Sequence, residues 1–216
     1  MPYEPSENPF CTTRVRPGAI PFIFPEGQDA EKLVRRLQRN GWWGEIVGAH
    51  GAGKSALLAT LIPSITNAGR HAVLVELHDG QRRLPRDFDR DCRHQAATVI
   101  VVDGYEQLSR WRRWLLVRYC RRRGWGLLVT AHAHVGLPDL CQIAATPDLA
   151  AKIVEQLMHG RASPFAASEP AECLARHDGN LREALFDLYD LYEQRRSFDG
   201  LSPLDVPKAS GVDSSV

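Results

Sequence analysis

One stretch, Gly48-Ala49-His50-Gly51-Ala52-Gly53-Lys54-Ser55, constrains this chain more than any other, because its chemistry works only in one local fold. It fits G-x-x-x-x-G-K-[ST] without a mismatch. An apolar stretch, Trp42 to Val47, leads into it, and Ser55-Ala56-Leu57-Leu58-Ala59-Thr60-Leu61-Ile62 leads out. A strand, a glycine-rich turn and a helix are therefore expected in succession. In that arrangement the backbone N–H groups from Gly48, Ala49, His50, Gly51, Ala52 and Gly53 through Lys54, Ser55 and Ala56 form a cradle for phosphate oxygens. The helix N-terminus adds a partial positive charge. Lys54 is expected to reach the β- and γ-phosphates of a nucleoside triphosphate, and the Ser55 hydroxyl to ligate Mg²⁺.

Around this unit, apolar runs alternate with 3.6-residue patterns, which predicts an α/β fold with a parallel sheet wrapped by helices in three layers. A helix is expected over 29–40, with Leu33, Val34 and Leu37 inward and Gly41 at its end. The helix after the loop should run to about Thr66, burying Leu57, Leu58, Leu61, Ile62 and Ile65. The nearly all-apolar run Ala72 to Leu77 reads as a parallel strand covered on both faces. Arg82 and Arg83 follow it, at the edge where open α/β sheets bind ligands. A short helix is expected over 86–94. Next, Thr98-Val99-Ile100-Val101-Val102-Asp103 reads as a buried strand whose terminal carboxylate would hold Mg²⁺ through water. Residues 108–123 read as a helix with Leu108, Trp111, Leu115 and Tyr119 on its inner stripe. Strands are expected over 127–130 and around 142–144.

Beyond Pro147 the pattern is all-helical, over 148–158, 169–176 and 180–195, the last opened by an Asn180/Glu183 capping box. The chain thus divides into an extended proline-rich arm (1–28), a nucleotide-binding α/β domain (29–146), a small helical lid (147–196) and a disordered tail (197–216). The arm's aromatics either pack on the main domain or help to form an adenine pocket.

Composition narrows the partners. The net charge of +1 gives no molecule-wide field toward nucleic acid or anionic membrane, so any such role needs a local patch. The arginines between Arg110 and Arg123 are that patch, and three readings stand open for them. They form a solvated face, an oligomer interface donating an arginine in trans, or a nucleic-acid-binding face with Trp111, Trp114 and Trp125 nearby. Periodicity, by placing Trp111 inward, weighs against stacking. The five cysteines are scattered without a C-x-x-C pair, which favours reduced thiols over a zinc site. No run has the length of a membrane span, and Met1-Pro2-Tyr3-Glu4-Pro5 does not read as a signal peptide, so a cytoplasmic location is expected.

With these residues in view, the chain resembles the additional-strand branch of P-loop NTPases, and within it small AAA-type ATPases. Three features beyond the loop carry the resemblance. Thr130-Ala131-His132 ends a strand where that branch places its sensor-1 polar residue. Gly179-Asn180-Leu181-Arg182-Glu183 is similar to the G-[ND]-x-R segment bearing the sensor-2 arginine of AAA-type lids. Asn8-Pro9-Phe10 resembles the opening of several small AAA-type ATPases of transposition and secretion systems. The resemblance implies ATP and Mg²⁺ as ligands, with His132 and Arg182 acting on the γ-phosphate. One departure stands out. AAA-type proteins usually carry Asp-Glu at the end of this strand, whereas here Gly104 follows Asp103. Asp103-Gly104-Tyr105-Glu106 is similar to STAND ATPases, whose hydrolysis is often slow. Glu106 is the first candidate to orient the attacking water, and Glu76, at the end of the neighbouring strand, is the second.

The resulting expectation is an ATP-binding protein that hydrolyses ATP as a switch or motor subunit, with homo-oligomers or a partner protein as its context. A small-molecule or nucleotide kinase using Arg82 and Arg83, and an ATP sensor with little turnover, are the alternatives. No N-K-x-D segment supports a GTPase.

Overall fold

Asp29 opens the first regular element by accepting a hydrogen bond at Oδ1 from the Lys32 N–H (2.6 Å), which caps helix α1 (Ala30–Arg39). Leu33, Val34 and Leu37 line the buried side of α1, and the chain then turns through Gly41 and Trp42 into β1 (Trp43–Gly48). The computed structural model describes residues 8–11, 15, 19–78, 80–85, 87–90, 97–158 and 162–199. After β1 come α2 (Lys54–Asn67), β2 (His71–Glu76), β3 (Thr98–Asp103) and a short 3-10 turn (Tyr105–Gln107). They are followed by α3 (Arg110–Arg123), β4 (Gly126–Ala131), β5 (Asp139–Ile143), α4 (Pro147–Met158), α5 (Glu169–Arg176) and α6 (Leu181–Asp199).

The strands form one sheet in the order β2-β3-β4-β1-β5, and every pairing is parallel. Parallel strands need crossovers on the faces, and the helices supply them. One face buries Leu57, Leu58, Leu61 and Ile65 of α2 against Ile46, Val99, Val101 and Leu128 of the sheet, with Leu33, Val34 and Leu37 of α1 beside them. The other face buries Leu116 and Cys120 of α3, with Tyr105 and Leu108, against Ile100, Val102, Leu127 and Val129. Each fully buried aliphatic side chain is worth about 1.5–3 kcal/mol relative to exposure, so these two clusters hold the three layers together. A third cluster joins α4, α5 and α6 through Ile153, Leu157, Cys173, Leu174, Leu181 and Leu188.

The N-terminal residues tie the pieces together. Phe10 is fully buried among the C-terminal helices, edge-on to Phe165 at 5.4 Å. Phe22 and Phe24 pack instead on the cluster around α2. Of the arm's described aromatics, Phe22 and Phe24 thus pack on the α/β domain and Phe10 on the C-terminal helices.

Two sequence expectations need correction. The strand β2 is not covered on both faces: it is an edge strand, and Leu74 is 42% exposed. An apolar run reports an average of two faces, and the sheet simply ends here. The inner stripe of the arginine-rich helix was also phased wrongly. Leu108 is buried but extended, lying ahead of a helix that begins at Arg110. Counting helical periods from it points Trp111 and Leu115 inward, whereas they are 65% and 42% exposed. The true inner positions are Leu116 and Cys120, four residues apart. The helix expected over 86–94 and the tail expected over 197–216 lie largely outside the described residues, as do Cys92 and the start of the arm; α6 itself continues to Asp199.

Candidate functional site

The phosphate-loop residues span the end of β1 and the start of α2, at the C-terminal edge of the sheet. Gly51 and Gly53 take left-handed backbone (φ +68° and +99°). A Cβ on Gly51 would overlap the side-chain oxygen of Asn180 and lie 3.3 Å from the Arg182 nitrogen, so the first turn of α6 closes directly over the loop. The first N–H taken up by α2 is that of Leu57, which donates to the Gly53 carbonyl at 3.0 Å. The N–H groups of Lys54, Ser55 and Ala56 precede it and lack intrahelical acceptors, which leaves donors at the positive end of the helix.

Lys54 is buried, and its Nζ donates to the carbonyls of Gly48 and Ala49, both at 2.7 Å. Burial pulls its pKa below 10.5, while the charges of Glu106 and Asp103 push it back up. The two hydrogen bonds hold the side chain against the backbone of its own loop.

Across from Lys54, the end of β3 makes a turn that only glycine fits. Gly104 has φ +80°, and a Cβ there would stand 2.5 Å from the Leu77 carbonyl oxygen. Leu77 in turn donates its N–H to the Asp103 carbonyl at 2.9 Å. A glutamate directly after Asp103 is therefore sterically barred. The chain instead swings through the 3-10 turn, and Glu106 returns toward the site. Its Oε1 lies 3.1 Å from His132 Nε2, while Oε2 is buried with no hydrogen-bond partner among the described residues. An orphaned buried carboxylate oxygen is costly, and such atoms mark places where a ligand or water belongs. His132 also stacks edge-on against His50, with ring centroids 3.8 Å apart.

Asp103 is positioned by Thr130 on the adjacent strand β4. The Thr130 hydroxyl donates to Asp103 Oδ1 at 2.5 Å and accepts from the Gly104 N–H at 2.9 Å. Ser55 and Asp103 supply hard oxygen donors. Among the described residues no three His, Cys, Asp or Glu side chains gather into a metal cage. A divalent cation here would thus be held by one hydroxyl, one carboxylate, phosphate oxygens and water, a donor set that suits Mg²⁺. The residues present fit such an ion.

The remaining candidates are placed differently. Glu76 pairs in register with Asp103 across β2 and β3 and is exposed, and among the described residues its side chain has no hydrogen bond or ion pair. Arg182 stands beside the loop through its backbone, with an exposed side chain that forms no ion pair among the described residues. Arg82 and Arg83 are exposed.

Sequence reasoning missed the roles of three residues. Thr130 stands at the strand end that the resemblance likens to sensor 1, but its contact with Asp103 follows only from the register that sets β3 beside β4. Asn180, expected as a cap and as part of the G-[ND]-x-R segment, also touches Gly51. Glu45, buried within β1, accepts from the Val135 and Leu137 N–H groups, both at 3.0 Å, and contacts His134 Nδ1 at 2.6 Å. It thereby fixes the loop between β4 and β5, and nothing in the local pattern of β1 announces it.

No protein-family model matches the chain, and no curated protein matches it by sequence. Solved structures do. A Walker-type ATPase of Pyrococcus abyssi superposes with a TM-score of 0.50 at 12% identity, over 82% of this chain and 77% of that one. The fold is that of a P-loop NTPase. AMPPCP-bound DnaA from Aquifex aeolicus aligns with a TM-score of 0.49 at 13% identity, over 86% of this chain. This chain spans 64% of that DnaA chain, just under two thirds. In this P-loop NTPase fold the loop after β1 and the ends of β3 and β4 meet at one sheet edge. That edge holds Lys54, Asp103, Thr130, Glu106 and His132 together. No described helix is long and apolar enough to cross a membrane.

Proposed function

We propose that the chain binds ATP with Mg²⁺ at residues 48–56 and hydrolyses it, with residues 29–146 as the catalytic domain and 147–196 as a lid that closes over the loop. One observation carries the reading: a buried, unpaired oxygen of Glu106, anchored by His132, in a cluster with the phosphate-loop lysine and Asp103. In the reaction, water attacks the γ-phosphorus in line, the new P–O bond forms as the bond to ADP breaks, and the water's proton passes to Glu106 Oε2. Lys54 neutralises charge on the β- and γ-phosphoryl oxygens, and the loop amides position them. A bound Mg²⁺ would be held by Ser55 and Asp103 and would supply further neutralisation of phosphoryl charge. His132 fixes Glu106 and can also donate toward the γ-phosphate. The shared fold with a Walker-type ATPase, the Arg182-bearing turn above the loop and the AAA-type resemblance support a switch or motor subunit.

The test is phosphate release from ATP with no acceptor present. Lys54→Ala should abolish it together with ATP binding. Glu106→Gln should slow release on the order of 10²-fold or more while binding persists, as loss of a general base does. Glu76→Gln should leave the rate unchanged. Slowing by Glu76→Gln but not by Glu106→Gln would sink the assignment. Tight ATP binding with no release by the unsubstituted chain would leave an ATP sensor in place of a hydrolase.

A further inference from the structure

Helix α3 carries seven arginines in fourteen residues and no acidic residue. Solvated helix faces ordinarily interleave the two signs, and like charges three or four residues apart repel. Among the described residues no carboxylate pairs with Arg110, Arg118, Arg121 or Arg122. On the same outward face lie two indoles. Trp111 and Trp114 are 65% and 49% exposed and stack on each other, with ring centroids 4.9 Å apart and an interplanar angle of 21°. The Arg118 guanidinium stands 5.7 Å from the Trp114 ring. Beside it runs an open groove of about 310 Å³, lined by Trp114, Val117, Arg118, Arg121 and Arg122.

Exposed large aromatics are costly unless something covers them, and here the surrounding charge says what that is. We propose that this face of α3 binds single-stranded nucleic acid, with a base stacked on the Trp111–Trp114 platform and the phosphodiester backbone running along the groove past Arg118, Arg121 and Arg122. The arginines demand a polyanion, and an acidic peptide would satisfy them without using a flat π-surface. Base faces match that surface, and they are available only where the strand is unpaired. The chain's net charge of +1 confines the attraction to this patch. The proposal does not rest on ATP hydrolysis, and its test needs no nucleotide.

The test is fluorescence anisotropy of a labelled 20-nucleotide oligothymidylate titrated with the full chain. Binding should weaken about 50-fold between 50 and 200 mM salt if about four arginines each neutralise a phosphate. Tryptophan fluorescence should quench on the same curve. The double variant Trp111→Leu/Trp114→Leu should lose about 10-fold or more in affinity, whereas Trp111→Tyr, which keeps a ring, should retain binding. Circular dichroism of each variant confirms folding. The idea is overturned if the leucine variant binds as tightly as the unsubstituted chain, or if a duplex of equal length binds as well as the single strand. It is likewise overturned if the leucine substitutions abolish self-association seen by light scattering without changing oligonucleotide binding, because the face is then a subunit contact.

Discussion

Gly104 shows how one residue redirects the path of the chain at the edge of a site. Its backbone lies where L side chains are strained, and the Leu77 carbonyl occupies the space a Cβ needs. The glutamate that AAA-type sequences carry at this point has no room, and the 3-10 turn delivers Glu106 from two residues further on. Gly104→Ala should therefore cost about 2 kcal/mol or more, read as a lower urea midpoint with unchanged slope. An unchanged midpoint would mean the turn tolerates a side chain. Thr130 is the second informative residue, since its hydroxyl serves both Asp103 and the Gly104 N–H. The near-isosteric Thr130→Val strands a donor and an acceptor at once, so about 1–3 kcal/mol of stability should be lost. A third residue gives a pH signature. Burial pushes the Tyr105 phenol from 10.0 up to about 12. Between those values the unfolded chain ionises this phenol and the native chain does not, so its share of stability is present below pH 10 and is lost as pH rises toward 12. Denaturation across that window should show a steeper alkaline decline in the unsubstituted chain than in Tyr105→Phe.

At the scale of elements, α3 separates two kinds of apolar side chain that look alike in sequence. Leu116 is 3% exposed and packs on the sheet, while Leu115 is 42% exposed. Leu116→Ala should destabilise the fold by about 2–5 kcal/mol, and Leu115→Ala should stay within about 0.5 kcal/mol. Equal losses in thermal unfolding would contradict the helix's orientation. The opening turn of α6 is the other element with a direct consequence. It lies against Gly51, so Asn180 and the Arg182 backbone stand directly beside the loop. Arg182→Ala removes a cation from this turn; turnover should fall while ATP binding persists, and an unaltered rate would remove Arg182 from the site.

For the molecule as a whole, the described residues of the arm pack on the rest of the fold. Phe10, fully buried, touches Phe165 and Tyr192 in the C-terminal helices, and the Asn8 side chain donates to the Tyr189 carbonyl at 3.1 Å. Phe22 reaches the other cluster, with its N–H 3.4 Å from the Thr60 hydroxyl on α2. These described residues therefore contact both the C-terminal helices and a helix-covered face of the sheet. Replacing Phe10 by alanine should cost about 3–5 kcal/mol. Proteolysis or hydrogen exchange should show that loss first in α4–α6; protection lost evenly across the sheet would argue against this placement.

What the sequence determined by itself is local and periodic. A glycine-rich loop between an apolar run and an amphipathic stripe needs no distant partner to be recognised, and the strand ending in Asp103 and the capped lid helix are legible for the same reason. The parallel sheet follows from the alternation of these elements. Contacts between elements were beyond that reach. Only the tertiary structure set Thr130 against Asp103, because that depends on which strands lie side by side. It alone closed Asn180 over Gly51, left β2 at an edge, and brought Glu106 under His132. The phase of α3 belongs there too: periodicity measures spacing, but only the path of the chain through Gly104 decides which residue the count begins from. As a result the loop was evident at once, whereas the choice between Glu106 and Glu76 as the carboxylate beside Lys54 needed the fold.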